Sequence, residues 1–262
     1  MNPLALLLSL IPMWTYPLLA EPVYHQPVDM VVEMNAMTSQ LQRQWSLFNM
    51  RNPFSSEYNP SFNLIYPIEQ PDNIQVFVSR LTKLDKDYEP KDLVLLSDLD
   101  ASLPARFMRQ EAAYSFVRLK KAVFEATNLT LSTNSAYRSY NTQVSLFNRY
   151  AQLDGYEEAN TYSALPGHSE HQTGLAIDIT LSANTMEFGA SRAYPWVKKN
   201  AHKFGFIERY PENKSYITGY IYEPWHWRYV GVELATTLYN TQMTFDEYWV
   251  LGLNEYNAFQ KP

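Results

Sequence analysis

The chain of 262 residues contains no cysteine. This absence excludes disulfide bonds, thiolate metal sites, iron–sulfur clusters and cysteine nucleophiles. A metal ion would therefore need its ligands from carboxylates and from the five histidines, which are His25, His168, His171, His202 and His226.

Glycine and charge are also scarce. All 8 glycines lie at or after Gly155, so backbone positions with unusual dihedrals are concentrated in the C-terminal half. Charged residues make up 18% of the chain, the net charge is -6, and no basic stripe is present, so nucleic acid is not an expected partner. The 46% hydrophobic content excludes wholesale disorder and suits one large domain, or one domain with an appendage.

The N-terminus lacks charge until Glu21, and residues 4–20 form an apolar run that ends at Ala20. Its length and this small residue are typical of a secretory signal peptide. The usual positive charge before the apolar run is missing, since the first Lys or Arg in the chain is Arg43. Export to the outer face of the membrane or beyond is expected. An uncleaved membrane anchor and an ordinary buried segment are the alternatives.

Apolar spacing predicts an α+β fold in which helices flank a small antiparallel sheet. Pro104 suits a first helical turn and is expected to open the second helix. The helices are predicted at 28–50, 104–127, 141–153 and 191–203. The strands are predicted at 129–137, 174–181 and 225–231, with residues 76–98 a strand followed by extended chain. The expected divisions are a signal or anchor at 1–20, a helix and Pro-containing linker at 21–76, and a catalytic domain at 77–262.

The segment 166–179, PGHSEHQTGLAIDI, is the most informative in the chain. Alternation along its strand places Asp178 on one face, while Ile177 and Ile179 face the core. His171 precedes this strand on a glycine-bounded loop that can fold back over the Asp178 face. His168, three residues earlier, is an alternative that the spacing alone leaves open.

A second segment, EPWHWRYVG at 223–231, carries another histidine beside a carboxylate. Residues three apart face opposite ways on a regular strand, but a bend at Pro224 can bring Glu223 and His226 to a common centre. Two histidines and one carboxylate leave one position of a tetrahedral Zn²⁺ free for water, as in catalytic zinc sites. A carboxylate that is not a ligand, such as Glu223, can then take the proton of that water.

These segments resemble the VanY-type zinc D-alanyl-D-alanine carboxypeptidase family, which trims peptidoglycan stem peptides. The resemblance covers about residues 77–245 and rests on four separated motifs in order. These are KLDKDYEPKDLV at 83–94, Y-R-S at 137–139, S-E-H-Q-T-G-L-A-I-D at 169–178, and E-P-W-H at 223–226. It implies that zinc is held by His171, Asp178 and His226 in a cleft on the sheet, with Glu223 as the catalytic base.

The resemblance also implies that Arg138, Gln143 and Ser169 bind the substrate. A carboxypeptidase must recognise a terminal carboxylate, which a planar guanidinium can bind through two hydrogen bonds. Arg138 has a suitable position between a predicted strand and a predicted helix. Ser139 or Asn141 in the same stretch can instead cap that helix.

The sequence therefore predicts an exported zinc carboxypeptidase that removes a C-terminal D-alanine from stem peptides. Within the same chemistry, an L,D-carboxypeptidase or a D,D-dipeptidase is the alternative. A zinc-containing module that binds wall peptides without catalysis is the alternative from another class. Peptidoglycan stem peptide is the expected partner, and membrane association is expected only through the N-terminal segment.

Overall fold

The computed structural model describes residues 66–181 and 186–251. The predicted signal segment 1–20 and the predicted helix 28–50 lie outside these ranges, as does most of the linker 51–76. All described residues belong to one compact unit of the chain. Among them, no helix combines the length and the apolar character that crossing a bilayer requires.

The described ranges contain the following strands and helices. The strands are β1 (Tyr66–Pro67), β2 (Thr82–Lys83), β3 (Leu93–Leu95), β4 (Phe107–Arg109), β5 (Ser132–Ser135), β6 (Ala176–Thr180), β7 (Phe206–Glu208) and β8 (His226–Tyr229). The helices are α1 (Leu96–Leu99), α2 (Gln110–Thr127), α3 (Tyr140–Asp154), α4 (Tyr156–Tyr162), α5 (Met186–Ala190), α6 (Ala193–Asn200), α7 (Ser215–Thr218) and α8 (Val232–Thr241). Two 3₁₀ turns, Glu170–Thr173 and Ala201–Phe204, and a helical stretch at 245–251 complete these ranges.

A four-stranded sheet with the order β5-β6-β8-β7 lies at the centre, and each neighbouring pair is antiparallel. Strands β3 and β4 form a separate antiparallel pair, and β1 and β2 a short parallel one. Helices flank these small sheets, which confirms the predicted α+β class. Helix α2 packs its apolar side, with Phe116, Leu119 and Val123, into the same core as Ile177 and Ile179 of β6.

Helix α2 begins six residues later than the sequence pattern predicts. The prediction of a helix from Pro104 is wrong, because residues 107–109 form β4 and pair with β3. Backbone bonds from Leu96 N–H to Arg106 O and from Gln110 N–H to Asp92 O extend this pairing. The tertiary ladder satisfies the backbone groups that a first helical turn would have used. The long extended segment predicted at 76–98 is likewise broken into β2, β3 and α1.

Residues that precede the sheet strands in the chain pack against residues that follow them, beside β7. Phe77 stacks on Trp249 with ring centroids 4.6 Å apart and meets Phe245 edge to face at 5.3 Å. These rings join Val230 and Leu234 in a second apolar cluster. Residues before β2 and after α8 therefore form part of one packed structure with the sheet.

Gly205 connects the second 3₁₀ turn to β7 and has a φ of +80°. A Cβ atom at this position would lie 2.5 Å from the buried ring of Tyr229 and 3.1 Å from the backbone of Gly231. Only glycine therefore allows β7 to pass this close to β8.

We expect Gly205→Ala to lower the free energy of unfolding by about 2 kcal/mol more than Gly219→Ala, measured by urea denaturation. Gly219 is the control because its φ is +79° and the three atoms nearest to its Cβ belong to the Arg80 side chain, not to a buried ring or to the backbone. The strain of a left-handed alanine, about 1–2 kcal/mol, is common to both variants. Equal losses in the two variants would show that the contact with Tyr229 has no energetic consequence.

Candidate active site

The pairing of β6 with β8 places Asp178 beside His226. The two residues lie directly opposite each other in the antiparallel register. Side chains of such a pair emerge on the same face of the sheet. As a result, Asp178 Oδ1 lies 3.3 Å from His226 Nδ1 although the residues are far apart in the sequence.

The 3₁₀ turn before β6 brings His171 to the same point. His171 Nε2 lies 3.4 Å from Asp178 Oδ1. Its other ring nitrogen, Nδ1, lies 2.6 Å from the carbonyl oxygen of Ala136. Because a carbonyl oxygen can only accept, Nδ1 carries the proton. The lone pair of Nε2 is therefore free to bind a metal ion. Gly174 ends the turn with a φ of +67° and lets the chain enter β6 directly.

These three side chains form a group that can hold a metal ion. His171, Asp178 and His226 each offer one ligand atom, and these atoms all lie within 4.8 Å of one another. In tetrahedral zinc sites, bond lengths of about 2.0–2.1 Å place neighbouring ligand atoms about 3.3 Å apart, which matches the two contacts of Oδ1. Oδ1 is buried, and neither contact has hydrogen-bond geometry, so this atom lacks a hydrogen-bond partner. The donor set and its spacing therefore fit Zn²⁺.

The charges around the site also favour a cation. Burial raises the pKa of Asp178, but the neighbouring His171 and His226 outweigh it and hold that pKa far below its usual range. Burial lowers the pKa of His226, yet the neighbouring carboxylates of Asp178 and Glu170 outweigh it and raise that pKa to about 9. Burial and the charge of Arg138 lower the pKa of His171. The neutral form of His171 and the ionised form of Asp178 are the forms that a metal ion requires.

Glu223 reaches the same place through the bend that the sequence predicts. His226 N–H donates to Glu223 O at 3.1 Å, which closes a turn just before β8. Glu223 Oε2 lies 3.8 Å from His226 Nδ1 and the side chain is buried. Burial, opposed in part by His226, raises the pKa of Glu223 to about 8.

Arg138 lies between β5 and α3, and its Nε atom is buried without a hydrogen-bond partner. Burial lowers the pKa of this guanidinium, while the charges of Asp178 and Glu223 oppose that effect. These two carboxylates are thus the principal negative charges that it faces. Ser139 caps α3, since its side chain accepts from Thr142 N–H, and this confirms the capping alternative for Ser139.

Gln143 and Ser169 are both buried. Gln143 Nε2 donates to Ala164 O at 2.7 Å, but its Oε1 is buried without a partner and can accept a hydrogen bond. Ser169 precedes the 3₁₀ turn, and its hydroxyl does not cap it. Of the two candidates, Gln143 is the one with a buried acceptor that lacks a hydrogen-bond partner.

His168 stands apart from the metal-ligand group. Its Nδ1 contacts Ser79 O at 2.9 Å, and burial lowers its pKa. His202 stacks on Tyr239 with ring centroids 3.8 Å apart. His25 lies outside the described residues. Of the histidines that the structure describes, only His171 and His226 meet at a shared carboxylate.

The sequence pattern missed one neighbour of the site. Glu170 lies inside the S-E-H motif, is buried, and has its Oε2 atom 3.2 Å from His226 Nε2. Arg228 shares the strand face of His226, which alternation does predict, and its Nη1 lies 3.0 Å from Glu170 Oε1. Nothing in the spacing of Glu170 from residues more than fifty positions away signals these contacts.

We expect His171→Gln to lower the affinity of the protein for Zn²⁺ by at least 100-fold, because one of three protein ligands is lost. The measurement is a competition titration against a chromophoric chelator. His168→Gln, the same change three residues earlier, should leave the affinity within about threefold of the wild type. Equal zinc affinities of the His171→Gln and His168→Gln variants would contradict this ligand assignment.

Comparison with known proteins gives a consistent family. A family model described as VanY, D-alanyl-D-alanine carboxypeptidase, matches residues 105–232. YodJ of Bacillus subtilis (strain 168) is 40% identical over 192 residues, which cover 70% of this chain and 69% of YodJ.

Two solved structures share the fold. The structure of the LD-carboxypeptidase LdcB has a TM-score of 0.63 and 37% identity, covering 71% of this chain and 89% of that one. A vancomycin-resistance D,D-pentapeptidase VanY in complex with Zn(II) has a TM-score of 0.57 and 30% identity, covering 67% of this chain and 98% of that one. The resemblance seen in the sequence motifs is thus confirmed, and the chain belongs to the VanY family of D-alanyl-D-alanine carboxypeptidases.

Proposed function

We propose that this protein is a zinc-dependent carboxypeptidase that removes the C-terminal D-alanine of peptidoglycan stem peptides. The observation that carries the proposal is the convergence of His171, Asp178 and His226 around one point, with Glu223 buried beside it. The family supports peptide hydrolysis, and the VanY structure with Zn(II) supports the choice of metal.

In this proposal His171 Nε2, Asp178 Oδ1 and His226 Nδ1 hold the metal ion. When bound, Zn²⁺ would polarise the scissile carbonyl and lower the pKa of a water molecule. Glu223 Oε2 lies beside His226 and is not one of the three ligand atoms, so it keeps a lone pair for a proton. Glu223 accepts the proton of the attacking water and later donates it to the amine of the leaving D-alanine.

Arg138 supplies the exopeptidase specificity. Its guanidinium is positioned among carboxylates of the site, has a buried Nε without a partner, and can bind the terminal carboxylate of the peptide. In this proposal Gln143 Oε1 accepts a hydrogen bond from the same end of the peptide, and Ser169 contributes to substrate binding from its buried position before the 3₁₀ turn. A peptide without a terminal carboxylate loses the contact with Arg138 and binds weakly.

We also propose that the protein acts outside the cytoplasm, where stem peptides are found. This part of the proposal rests on the apolar run at 4–20, which has the length and the terminal small residue of a signal peptide. Any association with the membrane is assigned to that run, and nucleic acid is not proposed as a partner.

L,D-carboxypeptidase activity on tetrapeptide stems is the second candidate. It is favoured by LdcB, an LD-carboxypeptidase, which has the higher TM-score and identity of the two compared structures. Defined stems separate the candidates, including the dipeptidase alternative. D-Alanine release from pentapeptide indicates D,D-activity, release from tetrapeptide indicates L,D-activity, and hydrolysis of free D-Ala-D-Ala indicates the dipeptidase.

We expect Glu223→Gln to lower kcat for D-alanine release by about 10³-fold, because the proton acceptor is lost. The zinc affinity should stay within about threefold of the wild type, since Glu223 is not a ligand in this proposal. Glu212→Gln, the same change at an exposed carboxylate, is the control. Full activity in Glu223→Gln would contradict the assignment of this side chain as the base. A wild type that binds stem peptides without releasing D-alanine would instead favour the wall-peptide-binding module.

We expect Arg138→Ala to lower kcat/KM by about 100-fold on a stem with a free C-terminal carboxylate, because charge-assisted hydrogen bonds are lost. On the same stem with a C-terminal amide, wild type and variant should be equally slow. Arg149→Ala changes an exposed arginine on α3 and serves as the control. If Arg138→Ala still discriminates between acid and amide as the wild type does, another group binds the carboxylate.

A further inference from the structure

Glu170 is a fully buried carboxylate held between two buried arginines. Its Oε1 atom accepts from Arg209 Nε at 2.8 Å and from Arg228 Nη1 at 3.0 Å. The side chains of all three residues are 0% exposed. Guanidinium groups can only donate, so Oε1 is fixed as the acceptor of both contacts, and the buried carboxylate is paired with two positive charges.

The second oxygen of Glu170 points to the metal-ligand group. Oε2 lies 3.2 Å from His226 Nε2, and a carboxylate that is paired with two guanidinium groups acts as the acceptor in this contact. The Nε2 atom of His226 must therefore carry the proton. In the neutral imidazole this leaves the lone pair on Nδ1, the atom that faces Asp178 Oδ1 at 3.3 Å.

The two arginines are themselves fixed by segments outside residues 105–232. Arg228 Nη2 donates to Ile74 O at 3.0 Å and to Val76 O at 2.8 Å. Arg209 pairs with Asp246, and its guanidinium lies over the rings of Phe77 and Phe245. Glu170 thus has no freedom to rotate away from His226 without breaking bonds to both arginines.

Fold stability is a weak reason for this arrangement. Buried ion pairs often contribute no more than well-packed apolar residues would, because both charges lose their hydration. A fixed carboxylate at the far nitrogen of a metal-binding histidine has a specific effect instead. It sets the tautomer and the ring orientation and raises the basicity of the ligand atom.

We propose that Glu170, held by Arg209 and Arg228, is a positioning residue that directs Nδ1 of His226 to the metal ion. This inference rests on the proposed zinc site. The site then includes a residue that is neither a ligand nor the base. The segment around residues 74–78 and Asp246 also contribute to metal binding, because they hold the two arginines in place.

The test compares Glu170→Gln with Tyr229→Phe in the full chain. Glu170→Gln keeps the size and an acceptor oxygen but removes the charge. Tyr229→Phe removes a hydrogen bond to Glu111 from the same strand as His226 and leaves the Glu170 contact in place. For each protein, zinc affinity is measured by chelator competition, Tm is measured without metal, and the visible absorption spectrum is recorded with Co²⁺ as the probe.

We expect Glu170→Gln to weaken zinc binding by about 10- to 100-fold and to change the Co²⁺ spectrum. Tyr229→Phe should lower Tm with unchanged zinc affinity and an unchanged spectrum. Wild-type affinity and spectrum in folded Glu170→Gln would overturn the positioning role while leaving the proposed function intact. Failure of the wild type to bind zinc would overturn the proposed function itself, and this inference with it.

A measurement on the wild type decides the question if Glu170→Gln does not fold. Imidazole ¹⁵N NMR of the zinc-loaded protein identifies which nitrogen of His226 binds the metal. Coordination through Nδ1, with a slowly exchanging proton on Nε2, supports the role of Glu170. Coordination through Nε2 would overturn it, because that atom could not then donate to the carboxylate.

Discussion

The site depends on the register of one antiparallel strand pair. Asp178 in β6 lies opposite His226 in β8, and this brings a carboxylate and an imidazole from distant parts of the chain onto one face. Side chains alternate along a strand, so a slip by one residue would turn Asp178 toward the core. The isoleucines on either side of Asp178 oppose such a slip, because each would lose its place in the apolar core.

A second constraint comes from the density of buried charge. Three buried carboxylates, Glu170, Asp178 and Glu223, lie around His226, and each has a different environment. Glu170 is paired with arginines and Asp178 with imidazoles, whereas burial is the main influence on the pKa of Glu223. Burial and pairing therefore separate the acidities of three chemically similar groups, and this separation lets one act as a ligand and another as a base.

The residues that flank the family match are part of the same structure. Carbonyl oxygens of Ile74 and Val76 accept from Arg228, and Asp246 pairs with Arg209. The arginines in turn contact Glu170, which contacts His226. Packing at the β7 edge of the sheet is thereby connected to the metal-ligand group through a continuous chain of short polar contacts.

The sequence by itself determined the fold class, the strand that carries Asp178 and the bend at Glu223, because alternation, glycine positions and proline geometry are local. It also indicated which residues carry the chemistry, since four separated motifs occur in order. The tertiary structure alone decided that α2 begins at Gln110, because pairing between β3 and β4 overrides the helix-start signal of Pro104. It alone decided that Glu170 meets His226, because contacts between residues 56 positions apart depend on how the sheet and the turn pack, which no local spacing encodes.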